Sequence, residues 1–165
     1  MAKRIRSVAE LERYIQDLQR KADKLCKRLA DAGLPIASAG FASAAYDGTN
    51  DVKVEIEDNG AMHKAIVAIG GATLFIEYGT GVTYPDNHPK KAAGVLPRGA
   101  YGQGKGSQKT WGYYGDPGTN GEVREKQSGQ SVVLTHGNPA NMPMYNAAEN
   151  MRQSLEQIVR EVFGA

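Results

Sequence analysis

The chain has 165 residues, is 41% hydrophobic and carries a formal net charge of +2, so it suits one domain with a modest core and gives no whole-chain signal for nucleic acid. Its single cysteine, Cys26, excludes an internal disulfide, and the N-terminus lacks the apolar core of a secretory signal. No apolar run approaches the roughly 20 residues of a membrane-spanning helix, so the expectation is a soluble protein made in a reducing cytoplasm, whose nucleic-acid contacts, if any, come from local charge.

Ser7-Val8-Ala9-Glu10 fits a capping box, in which the serine oxygen accepts an early helical N–H and the glutamate reaches back. From there Val8, Leu11, Ile15, Leu18, Ala22, Leu25 and Leu29 recur at alternating steps of three and four, a narrow seam rather than a broad face. Gly33 and Pro35 give a stop signal, so a helix is predicted from Val8 to Ala32 with Cys26 packed beside the seam.

After a connection rich in Ala, Ser and Gly, Val52 to Glu57 alternates apolar and charged residues, the period-two pattern of a half-exposed strand. Asp58-Asn59-Gly60 supplies turn chemistry for a tight hairpin, and Ala65 to Ile69 reads as the return strand. Gly70-Gly71 separates it from Thr73 to Tyr78, whose Leu74, Phe75, Ile76 and Tyr78 favour a third strand ending at the glycine turn Gly79-Thr80-Gly81. Glu77 lies among these apolar residues. A desolvated carboxylate there needs backbone amides or a basic partner, from this chain or a neighbouring subunit.

From Val82 to Gly129 the sequence is dense in glycine, carries Pro85, Pro89, Pro97 and Pro117, and loses aliphatic periodicity. It reads as a long loop extension. Its aromatics Tyr101, Trp111, Tyr113 and Tyr114 suit contacts between proteins or stacking on bases. Between Asp86 and Asp116 the charged residues are Lys90, Lys91, Arg98, Lys105 and Lys109, a basic run able to face phosphate.

Other chemical signals are weak. Gly99 to Lys105 has the spacing of a phosphate-binding loop, but Gly106 stands where the magnesium-holding Ser or Thr belongs, and no strand–loop–helix frame surrounds it. His63, His88 and His136 fall one to a region without metal-site spacing. Nothing in the sequence brings Glu77 and His136 together as a catalytic pair. No cofactor, metal or enzymatic activity is expected.

Ser131 to Thr135 reads as a last strand. A C-terminal helix follows, with Asn141 as N-cap, Pro143 in the first turn and Met144, Ala148, Met151, Leu155, Ile158 and Val162 as its apolar stripe. The predicted fold is α+β: one domain over 1–165, a small antiparallel sheet packed by a long N-terminal helix and a C-terminal helix, with the loop extension of 82–129 projecting.

Phe75-Ile76-Glu77-Tyr78-Gly79-Thr80-Gly81, Trp111 in a glycine-rich loop, and Thr135-His136-Gly137-Asn138-Pro139-Ala140 before Met142-Pro143-Met144-Tyr145 occur in that order. In these residues the chain resembles the tail-completion or neck proteins of lambdoid and related long-tailed bacteriophages. The resemblance implies a non-catalytic virion protein, made in the bacterial host cytoplasm and assembled as a homo-oligomeric ring of six subunits at the head-proximal end of the tail. Tail-terminator, tail-tube or head-completion proteins would be its neighbours, and the genome would pass through its lumen. In that setting Glu77, Tyr78, Gly79, Thr80, Trp111, Tyr113 and Tyr114 are subunit-interface candidates. Lys90, Lys91, Arg98, Lys105 and Lys109 are DNA-facing candidates, touching phosphate without reading sequence. The alternative from another class is a DNA-binding accessory protein that uses the basic aromatic loop on single strands.

Overall fold

A computed structural model describes residues 5–81, 88–89, 109–118 and 121–164. The order of elements is α1 (Val8–Ala42), β1 (Lys53–Asp58), β2 (Lys64–Ile69), α2 (Thr73–Tyr78), β3 (Trp111–Tyr113), β4 (Glu122–Glu125), β5 (Ser131–Thr135) and α3 (Pro143–Phe163). The fold is α+β, with two long helices and small antiparallel sheets.

Helix α1 begins where the capping box places it: the Ser7 hydroxyl accepts the Glu10 amide, and the Arg6 amide donates to the Glu10 carboxylate. It does not stop at Ala32. It runs 35 residues, about 52 Å, straight through Gly33 and Pro35. Packing overrides the local stop signal. Ala30, Gly33, Ala37 and Phe41 are its buried residues, and α1 packs chiefly against α3. The two helices run antiparallel, with Gly40 beside Pro143, Gly33 beside Met151, and Arg28 paired with Glu161 at 2.6 Å. A Cβ on Gly33 would stand 2.6 Å from Met151 Sδ and 2.7 Å from Ile66 Cδ1, so the glycine read as a stop permits the closest approach of three elements. The helix ends at Ser43, whose amide and hydroxyl both donate to the Ala39 carbonyl, while the Asn50 side chain donates to that of Phe41.

Strands β1 and β2 pair antiparallel, as expected, with Lys53 opposite Ile69 and Asp58 opposite Lys64. The turn is longer than a tight hairpin: residues 59–63 close through Asn59 N–H to His63 O and His63 N–H to Gly60 O, with Gly60 and Met62 at positive φ. Lys64, only 7% exposed along its side chain, bridges Asp58 and Asp23 and ties the hairpin to α1.

The expected third strand is instead helix α2. Its residues favour β structure individually, but Ala72 and Ile76 stand four apart and pack together on Phe41, which is helical spacing. The Asp51 carboxylate also accepts the Gly71 and Ala72 amides just before the first turn. Burial and capping outweigh propensity. The core here comprises Phe41, Ala72 and Ile76, flanked by Ala44, Tyr46, Val52, Val54, Ala68 and Met144.

The stretch 82–129 is not devoid of regular structure. β3 and β4 both lie in it and flank β5 in a second sheet of order β3-β5-β4, antiparallel throughout. Val132, Val133 and Thr135 of β5 are buried. Their side chains gave β5 a clear pattern, whereas β3 and β4 are recruited by pairing with it and carry little pattern of their own.

Candidate functional site: a buried joint around Glu77

Glu77 lies in the last turn of α2 and points at the start of α3. Its Oε2 accepts the Met144 amide at 2.8 Å; its Oε1 accepts the Tyr145 amide at 3.0 Å and lies 3.1 Å from His88 Nε2. A carboxylate only accepts, so Nε2 carries the proton of that contact. The carboxylate thus serves as the N-cap of α3 from 67 residues away, taking two of the donors that the first helical turn leaves unpaired. Asn141 is not the cap. Met142 occupies that position in the left-handed region and makes no side-chain cap bond, while Asn141 joins Ala45 and Pro139. Along α3 the buried residues are Pro143, Ala147, Ile158 and Val162; Ala148 and Leu155, expected in the stripe, are exposed.

Glu77 and His88 are 5% and 1% exposed. The His88 ring sits 4.4 Å from that of Tyr78 and 5.7 Å from that of Tyr145, between two aromatics. The expectation that Glu77 finds amides and a basic partner holds, and all three are in its own chain. The histidine is His88 rather than His136, which meets Thr110 through Nδ1 at 2.7 Å.

The turn after α2 completes the joint. Thr80 pairs with Asn138 as an isolated antiparallel bridge, with amide-to-carbonyl bonds of 2.8 and 3.2 Å, and the Thr80 hydroxyl also accepts the Asn138 amide. Gly79, at φ +70°, has the Ala140 amide 2.7 Å from where a Cβ would stand, and Gly81, at φ +78°, lies under the Trp111 ring. Each glycine allows a backbone or an indole to approach that any side chain would block.

Around this lies a ring of polar contacts that sequence reasoning missed. Residues 44–51, read as a small-residue connection, tie the parts together. The Asp47 amide donates to Asn138 Oδ1 and its Oδ2 accepts from Thr135, whose own oxygen accepts the Gly137 amide. The Tyr113 hydroxyl donates to the carbonyls of Asp47 and Asp116, and Thr49 donates to Asp116. Burial pushes the Tyr113 and Tyr46 hydroxyls above their ordinary acidity range. Among the described residues no buried side-chain nitrogen or oxygen lacks a hydrogen bond.

None of the protein-family models, curated proteins or solved structures compared with this chain matches it.

Of the interface candidates, Glu77, Gly79 and Thr80 are buried within the chain, Tyr78, Trp111 and Tyr113 are half-buried, and Tyr114 is 64% exposed with Lys126 over its ring. Glu77 and Thr80 therefore brace the chain from within, because their polar atoms are already engaged there. Lys90, Lys91, Arg98, Lys105, Tyr101 and the glycine-rich 99–106 motif lie outside the described residues; Lys109 is exposed. Among the described residues no cluster of His, Cys, Asp or Glu is built to hold a metal, and no helix is long and apolar enough to cross a membrane.

Proposed function

We propose that this chain is a structural component of a long-tailed phage or prophage particle, a tail-completion or neck subunit that works in a homo-oligomeric ring joining tail to head. The observation that supports this reading most directly is the meeting of the two motifs that carry the resemblance. The Glu77 signature caps the helix that follows the Met142-Pro143-Met144-Tyr145 entry, and Thr80 bridges Asn138 within the Thr135–Ala140 segment. Residues shared for shape would be expected to interlock in this way. Residues shared for catalysis would be expected to keep an atom accessible, and both oxygens of Glu77 are spent on amides and a buried imidazole.

In the ring, the exposed Tyr114 and the half-buried Trp111, at the edge strand β3 of the second sheet, are subunit contacts. Lys109 and the cations before it face DNA phosphates weakly enough to let a genome pass. The decisive experiment is deletion of the gene from its phage or prophage, followed by electron microscopy of the particles. Heads and tails that remain unjoined are expected, with joining restored by the wild-type gene. Normal, infectious particles in the deletion would sink the reading. Mass measurement of the purified protein, alone and with candidate neck proteins, should give a six-subunit ring or its complex with a neighbour.

A further inference from the structure

The apolar seam of α1 has two halves with different surroundings. From Ala22 onward it is half-buried; there Asp23 accepts the Met62 amide and pairs with Lys64, and Arg28 reaches Glu161 of α3. Before Ala22 the side-chain hydrogen bonds and ion pairs among the described residues stay within the helix or its cap, as in Arg20 and Lys21 with Asp17. In that half Val8, Leu11, Ile15 and Leu18 are 73%, 42%, 44% and 37% exposed. The result is an arm of about 21 Å, residues 8–21, with an uncovered apolar stripe.

We propose that this arm pairs in parallel and in register with the same arm of a second copy of the chain. The stripe itself selects that occupant. Over residues 8–18, where the body leaves it bare, the stripe keeps a strict 3-4 alternation, the narrow seam of helix-to-helix pairing. With Val8 at position a of the heptad, the uncovered a positions hold the β-branched Val8 and Ile15 and the d positions hold Leu11 and Leu18, the pattern that favours two parallel strands. Charge agrees. No charged residue falls at a or d in this half, and the flanking pairs of a parallel register, Ser7 with Glu12 and Tyr14 with Gln19, bring no like charges together. Antiparallel pairing would mix a with d and lose the like-with-like layers.

The inference stands on α1 alone and goes beyond the neck reading, so the two can fail separately: a protein that pairs through its arms yet leaves head–tail joining unaffected would keep one and lose the other. The test uses the full-length protein. Sedimentation velocity over a concentration series should show reversible self-association, weakened at least about tenfold in the double variant Leu11→Glu, Leu18→Glu, with circular dichroism unchanged. In a Cys26→Ser background, Leu18→Cys sits at a d layer and should oxidise readily to a covalent dimer, while Arg20→Cys, on the outer face, should not. The proposal is overturned if the wild type stays monomeric at every concentration, including when another protein is captured on the arm. It is equally overturned if the double variant associates as well as the wild type, or if Leu18→Cys links no faster than Arg20→Cys.

Discussion

Around Glu77 the polar atoms find mates inside the chain and the aromatic rings are covered, whereas along the first half of α1 the polar groups face water and the apolar ones are bare. One region is held by contacts between residues far apart in sequence, from Glu77 to Tyr145 and from Asp47 to Thr135. The other is held only by its cap and by pairs three or four residues apart, such as Asp17 with Lys21. The difference separates two jobs. Changes in the joint should act on folding, and changes in the arm should leave folding alone and act on what the arm touches.

The sharpest way to break the joint is Gly79→Ala. At φ +70° and ψ 169°, with the Ala140 amide 2.7 Å and the Asn138 carbonyl 2.8 Å from an added Cβ, strain and a backbone clash combine. A loss of about 3 kcal/mol or more is expected in urea unfolding. A loss below about 1 kcal/mol would mean that the 138–140 backbone yields easily.

Glu77→Ala comes next. It removes the acceptor of the part-buried Met144 and Tyr145 amides and of buried His88 Nε2, so a loss of at least about 3 kcal/mol is expected at about 1–3 kcal/mol per unmet donor. Glu77→Gln keeps one acceptor oxygen and should cost less. Equal losses for the two substitutions would show that side-chain volume, not the cap, is what matters.

Acid supplies a smaller and graded effect. The Ala72 and Gly71 amides hold the Asp51 carboxyl below its ordinary value of 3.8, and the Gly118 amide and Thr49 do the same for Asp116. A depressed folded value means that the contribution is present above pH 3.8 and is lost as pH falls through the lower folded value. Stability should therefore decline below about pH 4. Asp51→Asn should flatten part of that slope; an unchanged slope would remove Asp51 from the account.

Smallest of all is the expected effect of Leu11→Glu on unfolding of the monomer, within about 0.5 kcal/mol, because the side chain is 42% exposed and unsupported by the body. A larger loss under monomeric conditions would show that the body covers the arm, and the contrast between the two regions would collapse.

The start of α1 and its seam were readable because their signals are local. Ser7 and Glu10 stand three apart and the seam repeats every seven residues, so both can be seen without knowing the fold. The joint was half readable. The carboxylate at Glu77 announced a need for donors, but their identity depends on α2 being a helix, and that depends on Ile76 meeting Phe41 and Asp51 meeting the Gly71 amide. The same dependence hid His88, eleven residues on in a stretch without periodicity, and Asp47 in a connection that looked like filler. Gly33 and Pro35 misled for the opposite reason: a strong local stop met a packing demand from Met151 and Ile66 that no local rule contains.

The Trp111 ring over Gly81 implies a further property of the chain. Residues 81 and 111 touch, and each is anchored on the same strand end, Gly81 against the His136 carbonyl and Trp111 opposite Thr135. The 29-residue excursion between them therefore begins and finishes at one doorway, with His88 held against Glu77 within it. Lengthening such an excursion adds closure entropy only logarithmically, about 0.6 kcal/mol per doubling. The doorway is thus a natural point at which to change the length of the excursion while His88 is kept in place.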